Sequence, residues 1–277
     1  MTNQTGSSES APRDQYIHGH HESVLRSHTW RTVANSAAYL IPELTAGARL
    51  LDVGCGPGTI TVDLARRVTP GQVVGMDASP AIVGHAAGLA ADEGVRNASF
   101  QVGNVYALDF PDSSFDIVHA HQVMQHLARP VAAMAEIRRV LRPGGVFAAR
   151  DVDYGGVMIA PAIDGLSEWM RVYREVHYWN GGEPDAGRSL KAWALAAGFA
   201  SVTSSASVWC FASDAEREWW GESWAVRVTE SAFAAHAIEA GVAELADLKR
   251  MAAAWREWVR EPSGWFGMPH GEILARA

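Results

Sequence analysis

The sequence predicts an α/β fold: a doubly wound, mostly parallel sheet of about seven strands, with helical insertions covering one edge. Three observations predict it. Leu50-Leu51-Asp52-Val53 is a short apolar run that ends on glycines at 54, 56 and 58. Ile60, Leu64, Ala65 and Val68 follow at helical spacing. Further apolar runs then alternate with helical segments, the pattern of strand–helix–strand crossovers in a parallel sheet.

Leu50–Val53 reads as the first strand, and Val73–Asp77 as the second, after a turn at Pro70-Gly71. Ser79 can cap the next helix, and Pro80 suits its first turn. Ala98–Val102 is the third strand. Phe115–His119 is the fourth, after the turn Pro111-Asp112-Ser113-Ser114. Val131–Leu141 reads as a helix with Glu136 and Arg139 outward, stopped by Pro143-Gly144-Gly145. Val146–Arg150 is the fifth strand. Simple alternation ends there. Ile163–Tyr178 is expected as a long helix stopped by Asn180-Gly181-Gly182, and Ser189–Ala197 as a second ended by Gly198. Ala200–Phe211 is expected as a strand, Asp214–Arg260 as Trp-rich helix, and Gly267–Arg276 as the last strand. Upstream, Val24, Leu25, Val33, Ala34, Ala37 and Leu40 can line one or two helices ending before Pro42. Residues 1–15 are polar and expected to be disordered.

Composition narrows the function. A chain of 277 residues with 48% hydrophobic content supports one large ordered domain, or a core with a cap. A net charge of −8 argues against a nucleic-acid surface, which needs clustered Lys and Arg. No apolar run reaches the roughly 20 residues of a membrane span. Met1 to Arg13 lack the apolar centre of a signal peptide. Cys55 and Cys210 are the only cysteines, which fits a reducing, cytoplasmic setting.

Glycines between strand and helix let a ligand approach bare backbone, so the loop reads as a nucleotide site. Thr59-Ile60-Thr61 stands where a Walker loop needs Gly-Lys-Ser/Thr, so that class is rejected. A dinucleotide fingerprint spaces its last two glycines three apart, and here they are two apart. Asp52 would repel a pyrophosphate but suits a ligand carrying an ammonium group. Asp77 lies at the end of the second strand, close to the offset at which an acidic residue meets a ribose.

This combination resembles class I S-adenosylmethionine-dependent methyltransferases, a Rossmann-like fold. The turn Gly103-Asn104-Val105 matches the family's adenine-binding turn, with Asn104 where Asp is usual. The stretch from Asp112 to Leu127, Asp112-Ser113-Ser114-Phe115-Asp116 onward, resembles its fourth-strand segment. Leu141-Arg142-Pro143-Gly144-Gly145-Val146-Phe147 resembles the turn before its fifth strand. The likeness covers about residues 48 to 151 and is nearest to the small-molecule branch, including quinone-type and natural-product enzymes.

The resemblance implies a methyl transfer from S-adenosyl-L-methionine to a small-molecule acceptor, at oxygen, with carbon and nitrogen as alternatives. It implies a cofactor site made of Asp52, Gly54, Cys55, Gly56 and Gly58, then Asp77, Ala78, Asn104, Val105 and His121. Tyr16 and Arg31 are expected beside the cofactor's carboxylate. His121, His126 and Tyr154 are the candidates for catalysis, since bases belong at the C-terminal ends of the strands or on the cap. The organisation expected is one domain over residues 16–277: lid helices at 16–45, a cofactor-binding core at 46–152, and cap insertions at 153–188 and 212–262. The segment from Asp153 to Asn180 and the helix from Tyr16 to Trp30 are expected to close over the cofactor. No metal is expected, since His18, His20 and His21 have no carboxylate or Cys placed to complete a site. Trp169, Trp179, Trp219, Trp220 and Trp224 read as packing between cap and core, with one or two lining the pocket. Two rivals remain. A nicotinamide-dinucleotide oxidoreductase is opposed by the glycine spacing and Asp52. A cofactor-binding regulatory protein without turnover is opposed by the Trp-rich insertions.

Overall fold

A computed structural model describes residues 30–277. Tyr16, the histidines at 18, 20 and 21, and the expected lid helix through residue 29 lie outside the described residues.

The strands form where apolar residues run without a helical period. They are β1 Leu50–Val53, β2 Val73–Asp77, β3 Ala98–Val102 and β4 Phe115–His121, followed by β5 Leu141–Val152, β6 Met158–Ala160, β7 Ser201–Phe211 and β8 Trp265–Arg276. They make one eight-stranded sheet in the order β3-β2-β1-β4-β5-β8-β6, with β7 also paired to β8. β1 to β5 pair in parallel, and β8 runs antiparallel to β5, β6 and β7. The strand order reverses at β1, which sits between β2 and β4. Loops leaving β1 and β4 therefore diverge and open a crevice at the C-terminal edge, where ligands bind in such sheets.

The helices are α1 Val33–Ser36, α2 Thr59–Val68, α3 Pro80–Asp92, α4 Pro130–Val140, α5 Asp164–Trp179 and α6 Ala186–Ala196. After β7 come α7 Asp214–Glu230, α8 Ala232–Glu239 and α9 Leu245–Arg260. As expected, Pro80 opens α3, and Ser79 caps it by accepting from the amide of Ile82. Among the described residues no helix is long and apolar enough to cross a membrane.

Alternation along the central strands feeds both faces of the sheet. Leu50, Ile117 and Ala148 pack with Val33, Leu40, Ile60 and Leu64 on one face. Leu51, Val118, Phe147 and Ala149 pack with Ile137 and Leu190 on the other. Burial on both faces is what a parallel sheet between two helix layers requires. A third core is aromatic: Trp169 and Tyr173 of α5 meet Trp220 and Trp224 of α7, Phe233 of α8, and Trp255 and Trp258 of α9. Trp169 touches Trp224 and Trp255 edge-on, with centroids 4.7 and 4.9 Å away.

Several expectations need correction. Pro42 does not follow a helix end; it lies inside a 3-10 turn, Ala38–Glu43. The run 214–260 is three helices. Ser231 breaks it by capping α8 with its side chain, and Gly241, at φ +67°, ends α8. β6, Met158–Ala160, adds an eighth strand, too short for its apolar run to be told from a loop by pattern alone. Glu136 and Arg139 do not simply face water. Glu136 accepts from the amide of Leu108, and Arg139 donates to the carbonyls of Leu108 and Phe110, so the pair clamps the β3–β4 loop.

Candidate active site

β1 ends at Val53, and the chain turns on Gly54, Gly56 and Gly58, at φ +66°, +54° and +89°. The three do different work. A Cβ on Gly54 would lie 2.5 Å from a methyl of Val123, so glycine is needed where the ends of β1 and β4 run close before their loops part. A Cβ on Gly58 would lie 2.9 Å from that of Ala86. Gly58 thus serves the packing of α2 on α3, and it is off the cavity wall, unlike Gly54, Cys55 and Gly56.

Asp77, at the end of β2, ties this loop down. One carboxylate oxygen accepts from the amide of Gly56 at 3.2 Å, the other from that of Ser79 at 3.0 Å. Asn104 accepts from the amide of Tyr106 at 3.0 Å, which uses one lone pair of its side-chain oxygen and leaves the second. Asp52 is buried. His119 Nδ1 donates to its Oδ1 at 2.7 Å, and Thr61 donates to its Oδ2. Asp52 still reaches the cavity wall, but its carboxylate is first a brace between β1, β4 and α2.

The crevice holds one cavity of about 760 Å³. The glycine loop, Asp77, Ala78, Asn104 and Val105 line one part of it. His121, His126, Tyr154, Trp209, Trp220, Trp224, Arg227 and Met268 line another, and Arg31 and Gln122 complete the wall. Among the described residues, every expected site residue except Gly58 therefore lines this cavity. Trp220 and Trp224 line it, whereas Trp169 is core, and Trp179 is exposed at the end of α5. Of the segment expected to close over the ligand, Tyr154 is on the wall. Tyr173 and His177 are buried outside the lining, with the Tyr173 ring 4.4 Å from that of Tyr154.

Burial sets the protonation of the imidazoles. His121, at the end of β4, has its pKa driven well below the usual value by burial, then by Arg31 and Arg150. His126 is driven down likewise by burial and by His177, whose ring stacks on it at 5.1 Å. Both are neutral at pH 7, and the burial that keeps them so also weakens them as bases. Burial and the carboxylates of Asp52 and Asp77 push the Cys55 thiol up, so it stays protonated and is no nucleophile.

Gln122, Trp209, Arg227 and Met268 escaped sequence reasoning. Trp209 and Phe211 are buried on β7 while Val208 and Cys210 are exposed, so the alternation there was a usable signal. Gln122 has none: its role depends on its φ of +54° and on partners remote in sequence.

Comparison with known proteins finds methyltransferases. The profile of a methyltransferase domain family matches residues 44–211. An uncharacterized methyltransferase of Schizosaccharomyces pombe is 35% identical over 275 residues, 96% of this chain and 98% of the relative. A ubiquinone biosynthesis O-methyltransferase of Cereibacter sphaeroides is 31% identical over 136 residues, 48% of this chain and 53% of its own. Among solved structures, the YcgJ protein of Bacillus subtilis superposes with a TM-score of 0.57 at 18% identity, over 88% of this chain and 98% of its own.

Proposed function

The chain belongs to the S-adenosylmethionine-dependent methyltransferases, and from that premise we propose that it methylates a small-molecule acceptor at oxygen. The observation behind this reading is the pair of imidazoles, His121 and His126, on the wall of the cavity, which suits an acceptor that loses a proton. A hydroxyl acceptor must lose a proton as it is methylated, and a neutral buried imidazole can take it. The relative named as an O-methyltransferase supports the same reading.

The residues present fit the cofactor. The glycine loop offers bare backbone at Gly54 and Gly56, and Asp77 stands at the end of β2 with a second lone pair on each oxygen. When bound, S-adenosylmethionine supplies a methyl carbon made electrophilic by its positive sulfur. Asp77 would hold the ribose hydroxyls, Asn104 and Val105 the adenine, and Arg31 the carboxylate of the amino-acid end. His121 and His126 would receive the acceptor's proton. Tyr154, Trp209, Trp220 and Met268 would present apolar surface to a flat acceptor and keep water from the reacting atoms. The proposed compartment is the cytoplasm, which a chain with two cysteines suits.

The test is transfer from cofactor labelled with a trideuterated methyl group. The panel would hold phenols, alcohols and the matching amines and carbon acids. Label located on oxygen by NMR is the expected outcome. Label on nitrogen or carbon overturns the choice of atom, and binding of cofactor with no transfer across the panel overturns small-molecule turnover.

A further inference from the structure

Gln122 follows the last residue of β4 in a left-handed conformation, φ +54°, which non-glycine residues adopt at a cost. Its carboxamide lies between two groups. Arg31 Nη2 donates to Oε1 at 2.7 Å. On the other side, Nε2 is 2.9 Å from Nε2 of His270. The second nitrogen of His270, Nδ1, is 2.9 Å from the carbonyl oxygen of Met268.

Only one arrangement of hydrogens satisfies this chain. A carbonyl oxygen can only accept, so His270 Nδ1 carries the proton. His270 Nε2 is then a lone pair, and Gln122 must turn its NH2 toward it. The carboxamide oxygen is left facing Arg31, where it accepts. Burial of His270, with the Arg150 and Arg31 guanidiniums nearby, depresses its pKa and keeps it neutral. Glu272, two residues along β8, is paired with Arg150. The carbonyl of Met268 thus sets the polarity of a chain that includes the Arg31 guanidinium at the cavity wall.

We propose that Gln122 and His270 are positioning residues that aim Arg31 at the carboxylate of the cofactor's amino-acid end. This rests on the reading of Arg31 given above. Trp209, whose ring centroid lies 5.6 Å from the Arg31 guanidinium carbon, supports its other side. The chain links the residue before α1 to the loop after β4 and to β8.

Calorimetry with two ligands tests this. S-adenosylhomocysteine carries the amino-acid end; 5′-methylthioadenosine has the same nucleoside and sulfur without it. Gln122→Met should weaken the first about ten-fold, the scale of one hydrogen bond to a charged group, and leave the second unchanged. Retained methylthioadenosine binding also shows that the variant is folded. Equal loss for both ligands, or loss for neither, overturns the proposal. His270→Gln can accept from Gln122 and donate to Met268, so it should retain most S-adenosylhomocysteine affinity, whereas His270→Leu should not. Nitrogen NMR should find His270 neutral and protonated on Nδ1 from pH 6 to 8. In Gln122→Glu the new carboxylate should raise its pKa. The opposite tautomer in the wild type overturns the chain. Arg31→Ala separates the two readings. Unchanged S-adenosylhomocysteine affinity there removes the carboxylate assignment, while loss there with none in Gln122→Met overturns only the positioning role.

Discussion

Asp52 and His119 meet across β1 and β4, with Oδ1 2.7 Å from Nδ1 and both side chains out of water. Thr61 holds the other oxygen. The acidic residue before the glycine loop therefore stiffens the sheet at the point where strand order reverses. His119→Ala should lower unfolding stability by about 2–4 kcal/mol, since a buried carboxylate loses its partner and a void is left. Urea denaturation measures this, and a loss below 1 kcal/mol would show that the bond contributes little.

Gly56→Val should abolish measurable cofactor binding. The residue is at φ +54°, where a β-branched side chain is strained by about 1–2 kcal/mol, and its methyls would occupy the face the ligand needs. Undiminished S-adenosylmethionine affinity by titration calorimetry would refute the assignment of this loop.

Asp77→Ala should weaken adenosine by about 1–3 kcal/mol and adenine much less, because its free lone pairs are assigned to the ribose. Equal losses would place the effect elsewhere, namely in the bonds this carboxylate makes to Gly56 and Ser79.

Asp151 gives the chain a pH-dependent stability. It is fully buried; Oδ1 accepts from the amide of Gln125 at 3.1 Å, and Oδ2 has no partner among the described residues. Burial pushes its pKa up to about 7 from an ordinary 3.8. The folded state thus holds a proton that the unfolded state has released. Its contribution is full below about pH 4 and is lost as pH rises through 7. Asp151→Asn removes this dependence and should stabilise the protein by about 2–4 kcal/mol at pH 8 relative to wild type. Thermal melts at pH 5 and pH 8 check it: the gain should be larger at pH 8.

Closure over the ligand is a separate expectation, read by hydrogen exchange with and without S-adenosylhomocysteine. Protection should rise at Leu50–Gly58, at Val74–Ser79 and between Asp153 and Asn180. A rise confined to the first two stretches would show a static cap. The buried Trp169 and Tyr173 already hold one face of α5, so the change should concentrate near Tyr154.

The cofactor half of the site was legible because its signals are local. A strand, its glycine turn and the acidic residue ending the next strand lie within 28 residues, Leu50 to Asp77, and each obeys a short-range rule. Asp77 and Asn104, read from the sequence as neighbours of one ligand, line the same cavity. Gly58 lies off that wall, crowded by Ala86 on another helix, which no spacing in the loop reveals. The remaining wall depends on distant pairs. Gln122 and His270 are 148 positions apart, and Trp209 donates to the carbonyl of Asn35 across 174. Such contacts exist only once the sheet has closed, so local pattern could not announce them.

β8 carries a consequence for the order in which the molecule assembles. β5 pairs with it through Val146↔Arg276 to Val152↔His270, and β7 pairs with it along Ser201↔Arg276 to Phe211↔Phe266. Among the described residues β7 has no other strand partner, and β6 reaches the sheet only through Met158↔Gly267 and its neighbours. During synthesis the ribosome releases β1 to β5 long before residues 265–276, and loop closure across more than a hundred residues is slow. Until that strand arrives, the edge of β5 is bare and the Trp-rich helices lack the face that Phe266 and Met268 supply. The nascent chain must therefore pass through a stage with exposed aromatic surface and an open sheet edge, the kind of species that chaperones bind.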